Sequence, residues 1–317
     1  MGITMGNKEE EILLVEKITE IYNNVSKLTS LSPCKEVDAL FTELVLACIP
    51  PSPVEVSELS HGVQEMRSNL IKLCGEAEGL LESHYSDILA SYDNPLDHLD
   101  LFPYYSNYLK LSHLEYNLLS MHVQSTPARV AFVGSGPLPL SSLVLASRHM
   151  RGTWFHNYDL SAAANARARR LVAADADVGP RMSFHTADVR EVTHALGGYD
   201  VIFLAALVGV DREEKAQVIE HLLRHMAPGA TLVARSAHGA RAFLYPVVEP
   251  EDLKGFELMV SYHPTDEVIN SVLVARKPPQ GHGPAVIRPC KCCEMPAMNH
   301  LAHAALVEEV ALEELPS

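Results

Sequence analysis

Residues 128–146, ARVAFVGSGPLPLSSLVLA, confine the chain to a narrow set of folds. A short apolar run ends in Gly134-Ser135-Gly136, and a helical pattern follows. A buried strand that turns through glycines into a helix opens a parallel α/β unit. The alternation then continues. TWFHNYDL reads as a strand, SAAANARARRLVAADA as a helix, MSFHTADV and YDVIFLAAL as strands, REEKAQVIEHLLRHM as a helix and ATLVARSA as a fifth strand. FELMVSYHP and INSVLVARKP, joined by TDEV, read as a terminal hairpin. Strands alternating with helices predict a mostly parallel sheet with helices on both faces.

Residues 1–120 follow a different grammar. EEILLVEKITEIYNNVSKL sets Ile12, Val15, Ile18 and Ile21/Tyr22 on one helical stripe. CKEVDALFTELVLACI repeats the pattern and stops at Pro50-Pro51-Ser52-Pro53. VQEMRSNLIKLCGEAEGLLESHYSDILASY is a third, long helical region; DNPLDHLDLFPYYSNY interrupts it and LKLSHLEYNLLSMHV resumes it. The expected organisation is an N-terminal bundle of four or five helices over 1–120, capping a Rossmann-like domain over 121–277. A tail rich in Pro, Gly and Cys over 278–317 is expected to be loosely attached and flexible. The fold class is α/β. A parallel sheet closed by an antiparallel hairpin is also the arrangement of S-adenosylmethionine (SAM)-dependent methyltransferases, a likeness of fold that does not by itself give function.

The chain has 317 residues and a formal net charge of −15, which argues against nucleic acid or an anionic membrane as partner. The longest apolar run, VIFLAALVGV at 201–210, is too short to span a bilayer. MGITMGNKEEEILL turns acidic at once, unlike a signal peptide. Six cysteines in a chain this long do not make a disulfide scaffold; Cys34, Cys48 and Cys74 fall in helical patterns and are expected to be buried reduced thiols. The expectation is a cytoplasmic protein that is not integral to a membrane and is compatible with a homo-oligomer.

Gly134, Ser135 and Gly136 stand where backbone N–H groups and a helix dipole face a ligand, and where a missing Cβ lets it approach. The next strand ends in Asp159, 23 residues beyond Gly136. An acid at that place accepts hydrogen bonds from both ribose hydroxyls. The third strand ends in Asp188, placed to meet an adenine amino group. Together they point to an adenosine-type ligand. Pro137, Leu138 and Pro139 stand where a dinucleotide loop would carry a third glycine. The prolines remove N–H donors that a pyrophosphate needs, whereas a sulfonium carrying an amino acid needs fewer. SAM is therefore expected rather than NAD. Methylation is the default for this fold, so a SAM-dependent small-molecule N-methyltransferase is the alternative reading. The fourth strand, however, runs into LAALVGVD, without the Asn/Asp-Pro-Pro clamp that amino-group methyltransferases often carry.

Longer blocks carry a family resemblance. YDNPLDHLDLFPYYSNYLKLSHLEYNLL, ARVAFVGSGPLPLSSLVLA, MSFHTADV, YDVIFLAALVG and RSAHGARAFLYP resemble plant nicotianamine synthases over residues 8–277, and CKCCEM resembles the endings of some grass members. Ser161 follows NYDL where many relatives carry Cys. The resemblance implies an enzyme that consumes three SAM molecules by 3-amino-3-carboxypropyl transfer. It releases three methylthioadenosines (MTA) and forms nicotianamine, a metal chelator that in grasses feeds phytosiderophore synthesis. It implies no cofactor beyond SAM as substrate and no catalytic metal.

Such chemistry sets requirements. Selectivity for Cγ over the methyl carbon comes from placing the amine in line with the Cγ–S bond. The attacking α-amine is mostly protonated near neutrality, so a base must take its proton. The resemblance points to Glu82 as that base and to Tyr108 as the hydroxyl that orients or relays. On the residues alone, Glu76 and Glu78 rival Glu82, Glu115 is a further candidate, and Tyr104, Tyr105 and Tyr108 read as packing aromatics. Substrate carboxylates need cations or N–H donors. Tyr105, Arg235, His238, Arg241 and Tyr245 are the candidates, those in RSAHGARAFLYP following the fifth strand. Cys290, Cys292 and Cys293, with His300 and His303, match no closed four-ligand zinc spacing and are read as incidental.

Overall fold

The computed structural model describes residues 2–52 and 54–279. β1 (Arg129–Val133), β2 (Trp154–Asp159), β3 (Met182–Thr186), β4 (Val201–Leu204), β5 (Thr231–Ser236), β6 (Glu257–Tyr262) and β7 (Ser271–Arg276) form one seven-stranded sheet in the order β3-β2-β1-β4-β5-β7-β6. β1 to β5 pair in parallel, while β7 runs antiparallel to both β5 and β6. The parallel core with its terminal antiparallel hairpin matches the expected class. β1 and β4 adjoin although they are far apart in sequence, so the strand order reverses beside the 134–136 loop, the place where open sheets of this kind bind ligands.

Both faces of the central strands are covered, which is why β1 and β4 are nearly unbroken apolar runs, whereas the outer strands β2, β3 and β6 carry polar residues. On one face Phe132, Phe155, Phe203 and Val233 pack with residues of α4 (Tyr105–Ser120), α5 (Leu140–Val144) and α6 (Ala162–Val172). On the other, Ile202, Leu204 and Leu232 pack with Val218, Ile219 and Leu222 of α8 (Arg212–His225). The short α7 (Val178–Arg181) precedes β3. α5 runs directly into a π-helical turn over Leu145–His149.

The helices ahead of the sheet are α1 (Gly2–Val25), α2 (Lys35–Cys48) and α3 (His61–Leu89), followed by a 3-10 segment (Pro95–Leu101) and α4. Ile18, Ile21, Leu44 and Leu70 make a third apolar cluster, which takes in Phe243 and Leu244 from the turn after β5. The helical region is thus tied to the segment that leaves the fifth strand. Arg67 of α3 adds to this tie by donating to the Ala242 carbonyl at 2.6 Å. Two expectations need correction. Ile12 is 58% exposed, and the buried stripe of α1 is Ile18, Ile21 and Val25. Cys34 stands exposed before α2, whereas Cys48 and Cys74 are buried, and burial pushes the Cys48 thiol up to about 12. Among the described residues, no helix is long and apolar enough to cross a membrane. The 278–317 tail lies outside the described residues beyond residue 279.

Candidate active site at the carboxyl ends of the strands

A cavity of about 950 Å³ lies between the carboxyl ends of the strands and the helices α2, α3 and α4. Gly134, Ser135, Gly136, Asp159 and Asp188 line one end of it. Leu31, Val37, Phe41, Val45 and Ile49 give the opposite side an apolar wall. Between them stand Glu78, Glu82, Tyr108, Arg235 and Tyr245.

The glycine loop behaves differently from the sequence expectation. Its N–H groups do not face a ligand. Gly134 and Ser135 donate to the Tyr158 carbonyl at 2.8 and 3.3 Å, and Gly136 donates to Asp159 Oδ2 at 2.9 Å. The missing Cβ atoms also make room for side chains of this chain. At Gly134 a Cβ would meet Val208 Cγ2 at 2.3 Å, and at Gly136 it would meet Glu82 Oε2 at 2.5 Å. Both glycines also have positive φ, 81° and 68°. With its donors spent inside the protein and Pro137 and Pro139 supplying none, the loop is poorly equipped for a pyrophosphate.

Asp159 Oδ1 accepts from Ser161 N at 2.8 Å, so each carboxylate oxygen takes one backbone bond and keeps acceptor capacity toward the cavity. Asp188 is engaged by Arg190, whose Nη2 lies 2.6 Å from Oδ2, and that hydrogen bond holds its carboxyl below the usual range.

Glu82 and Glu78 lie one turn apart on α3, on the face that meets the cavity. Glu82 is 8% exposed. Tyr108 Oη lies 3.2 Å from Glu82 Oε1 and also 3.2 Å from Glu78 Oε1. Tyr245 donates to Glu78 Oε2 at 3.2 Å. Burial, reinforced by the neighbouring Glu78 charge, pushes Glu82 well above the carboxylate range, and burial also raises Glu78. The same enclosure pushes the Tyr108 and Tyr245 hydroxyls well up. The centre of the site is therefore a pair of buried carboxyl groups poised to hold or take a proton.

Arg235 is buried rather than a surface partner. Its Nε and Nη2 bind Glu115 Oε1 and Oε2 at 2.7 and 3.0 Å, Nη2 also donates to Ser141 Oγ at 2.6 Å, and the guanidinium carbon sits 5.4 Å from the Phe132 ring centre. Glu115 is 0% exposed and does not line the cavity, so it serves as the counter-ion of Arg235. Three other sequence candidates stand elsewhere. His238 is exposed and packs on His263, Tyr105 accepts from Arg148 at 3.2 Å outside the cavity lining, and Arg241 clamps the carbonyls of Ile49, Pro264 and Asp266. Glu76 is exposed on the far side of α3. Among the described residues no group of three or more His, Cys, Asp or Glu side chains is arranged to hold a metal ion; Cys290, Cys292, Cys293, His300 and His303 lie outside those residues.

Sequence reasoning missed Lys215. Its side chain is 1% exposed and donates to the carbonyls of Ala205 and Ala206 at 2.9 and 2.7 Å, anchoring the segment after β4 whose Leu207 and Val208 line the cavity. The signal was present: Lys215 begins the stripe continued by Val218, Ile219 and Leu222.

Residues 6–282 match the family model described as nicotianamine synthase protein. The chain belongs to the nicotianamine synthase family. It is 59% identical over 309 residues to "Nicotianamine synthase" of Solanum lycopersicum, covering 95% of this chain and 98% of the relative. It is 57% identical over 339 residues to "Nicotianamine synthase 3" of Oryza sativa subsp. japonica, covering 100% and 98%. Among solved structures, MtNAS in complex with MTA and tNA superposes with a TM-score of 0.69 at 22% identity, covering 83% of this chain and 98% of that one. A mutant of MtNAS in complex with S-adenosylmethionine gives 0.69 over 84% and 98%. This chain and MtNAS thus share a fold with about a fifth of their residues identical.

Proposed function

We propose that this chain is a nicotianamine synthase that condenses three SAM molecules by 3-amino-3-carboxypropyl transfer, giving nicotianamine and three MTA. The observation that carries the reading is the buried Glu82, hydrogen-bonded to Tyr108 and pressed against Gly136 of the glycine loop. A base there meets an α-amine at the sulfonium end of a SAM whose ribose is held by Asp159 and whose adenine lies toward Asp188. Gly134, Ser135 and Gly136 shape the turn that seats the nucleoside. Tyr108 orients Glu82. Arg235, with its charge fixed by Glu115, and Tyr245 face the substrate carboxylates. Helices over 1–120 form the cap and 121–277 the SAM-binding domain. Transfer of the larger group requires the amine to approach in line with Cγ–S. The product would serve metal chelation, iron above all, in the cytoplasm. MtNAS, which has this fold, forms complexes with S-adenosylmethionine and with MTA and tNA, and this supports the reading.

The test is incubation of the purified chain with SAM alone, read by mass spectrometry. MTA and nicotianamine near 3 to 1 establish the reaction. S-adenosylhomocysteine formed on adding an amine would make the chain a methyltransferase instead.

A further inference from the structure

The Tyr108 hydroxyl has one proton and two carboxyl neighbours at equal distance, Glu78 Oε1 and Glu82 Oε1. It donates to one; the other contact becomes a full hydrogen bond when that carboxyl carries a proton and donates back to Tyr108 Oη. The three groups therefore form a chain with one proton more than a pair of carboxylates would hold. Tyr245 donates to the outer oxygen of Glu78. Around the pair stand Arg235 of β5, Asp159 of β2, and Cys74 one turn before Glu78 on α3. Arg235 favours the charged forms, while the two carboxyls and Asp159 oppose one another.

The reaction needs such a chain. In each transfer the ammonium gives one proton to a base, the amine nitrogen forms a bond to Cγ, and the Cγ–S bond breaks with its electron pair left on the neutral thioether. The new nitrogen is again an ammonium. One proton per SAM consumed must leave the first acceptor before it acts again.

We propose that Glu78 is the second proton acceptor of the site and resets Glu82 through Tyr108 between transfers, an inference that rests on Glu82 being the base. Protonated Glu82 gives its proton to Tyr108 Oη as Tyr108 gives its own to Glu78; Glu82 returns to the carboxylate form, and Glu78 gives the proton to water that enters as MTA leaves, so it is again a carboxylate for the next round. Glu78 acts on the substrate only through its neighbours and is a positioning residue. Glu78 and Glu82, equivalent by sequence, are by geometry successive members of one path.

Rapid-quench measurement of MTA released per chain, with SAM as the only reactant, tests this. Glu78→Gln should bind SAM normally and release about one MTA per chain at the wild-type rate. Later rounds should slow by at least about tenfold, the low end of the contribution of a positioned proton acceptor being larger still, with singly transferred intermediate accumulating. Wild-type progress through all rounds in Glu78→Gln overturns the relay, as does loss of the first round. Glu82→Gln is run beside it. If that variant also turns over normally, the base assignment itself fails; if it is inactive while Glu78→Gln is normal, the relay alone fails. Should Glu78→Gln not fold, Tyr245→Phe decides. Removing a hydrogen bond to the Glu78 carboxylate favours its protonated form, so the acidic limb of the kcat profile should move to higher pH. An unmoved limb overturns the proposal.

Discussion

Glu82 Oε2 lies 2.5 Å from the point a Cβ on Gly136 would occupy, so the Glu82 carboxylate fills the space that the glycine leaves open. Gly136→Ala would have to displace the carboxylate and hold an L-residue at φ 68°. The backbone term alone costs about 1–2 kcal/mol. The expected outcome is a lower midpoint in thermal unfolding together with loss of MTA release; normal turnover would show that the carboxylate position is not critical.

Glu82 should tax stability in proportion to pH. Above the ordinary glutamate value of 4.5 the folded chain keeps a proton that the unfolded chain has lost, so stability falls as pH rises through this window. Glu82→Gln removes that penalty. It should melt higher than wild type at pH 8, with the gap closing toward pH 4, while SAM binding survives and transfer does not. Thermal scans at the two pH values check the first part and equilibrium binding the second.

Arg235 and Glu115 are a buried ion pair joined by two hydrogen bonds. Removing one partner leaves an uncompensated charge. Arg235→Met is expected to cost about 3–5 kcal/mol in urea unfolding. Arg235→Met combined with Glu115→Leu should cost less than the sum of the single changes, since no orphan charge remains. A simple sum would mean that the two side chains do not depend on each other.

Lys215 predicts an alkaline gain. Burial pushes it down to about 7 from the ordinary 10.5. Between those values the unfolded chain binds a proton that the folded chain does not, so stability climbs with pH. A neutral amine still has two N–H groups, enough for the carbonyls of Ala205 and Ala206. The stability difference between wild type and Lys215→Met should widen from pH 7 to pH 9 in denaturant midpoints. A constant difference would place the lysine in its charged form throughout.

The strands were legible because the central ones are short apolar runs ended by turn residues and all of them alternate with helical patterns, and β2, β3 and the hairpin of β6 and β7 fall inside the expected blocks. The placing of Gly136 and Asp159 was legible as well, since both line the cavity at the carboxyl ends of the strands, where the topology prescribes. What could not be read was how long-range partners use up each other's bonding capacity. Arg235 and Glu115 are 120 residues apart, and nothing local says that they pair. The loop donors were misread for the same reason: whether an N–H is free depends on Tyr158 and Asp159, which only the parallel register of β1 and β2 brings beside it. Glu78 and Glu82 are an intermediate case. Their spacing was visible in the sequence, but the bridge that Tyr108 makes to both was not.

α3 runs for 29 residues without interruption, and its second half carries Glu78, Glu82 and Tyr85, the last set edge-on against Phe102 in the sheet-side core. A single stiff rod therefore sets the spacing between the two carboxyl groups and the loop beneath them. Any molecule that enters the cavity meets Glu78 and Glu82 at a separation that the helix has already fixed.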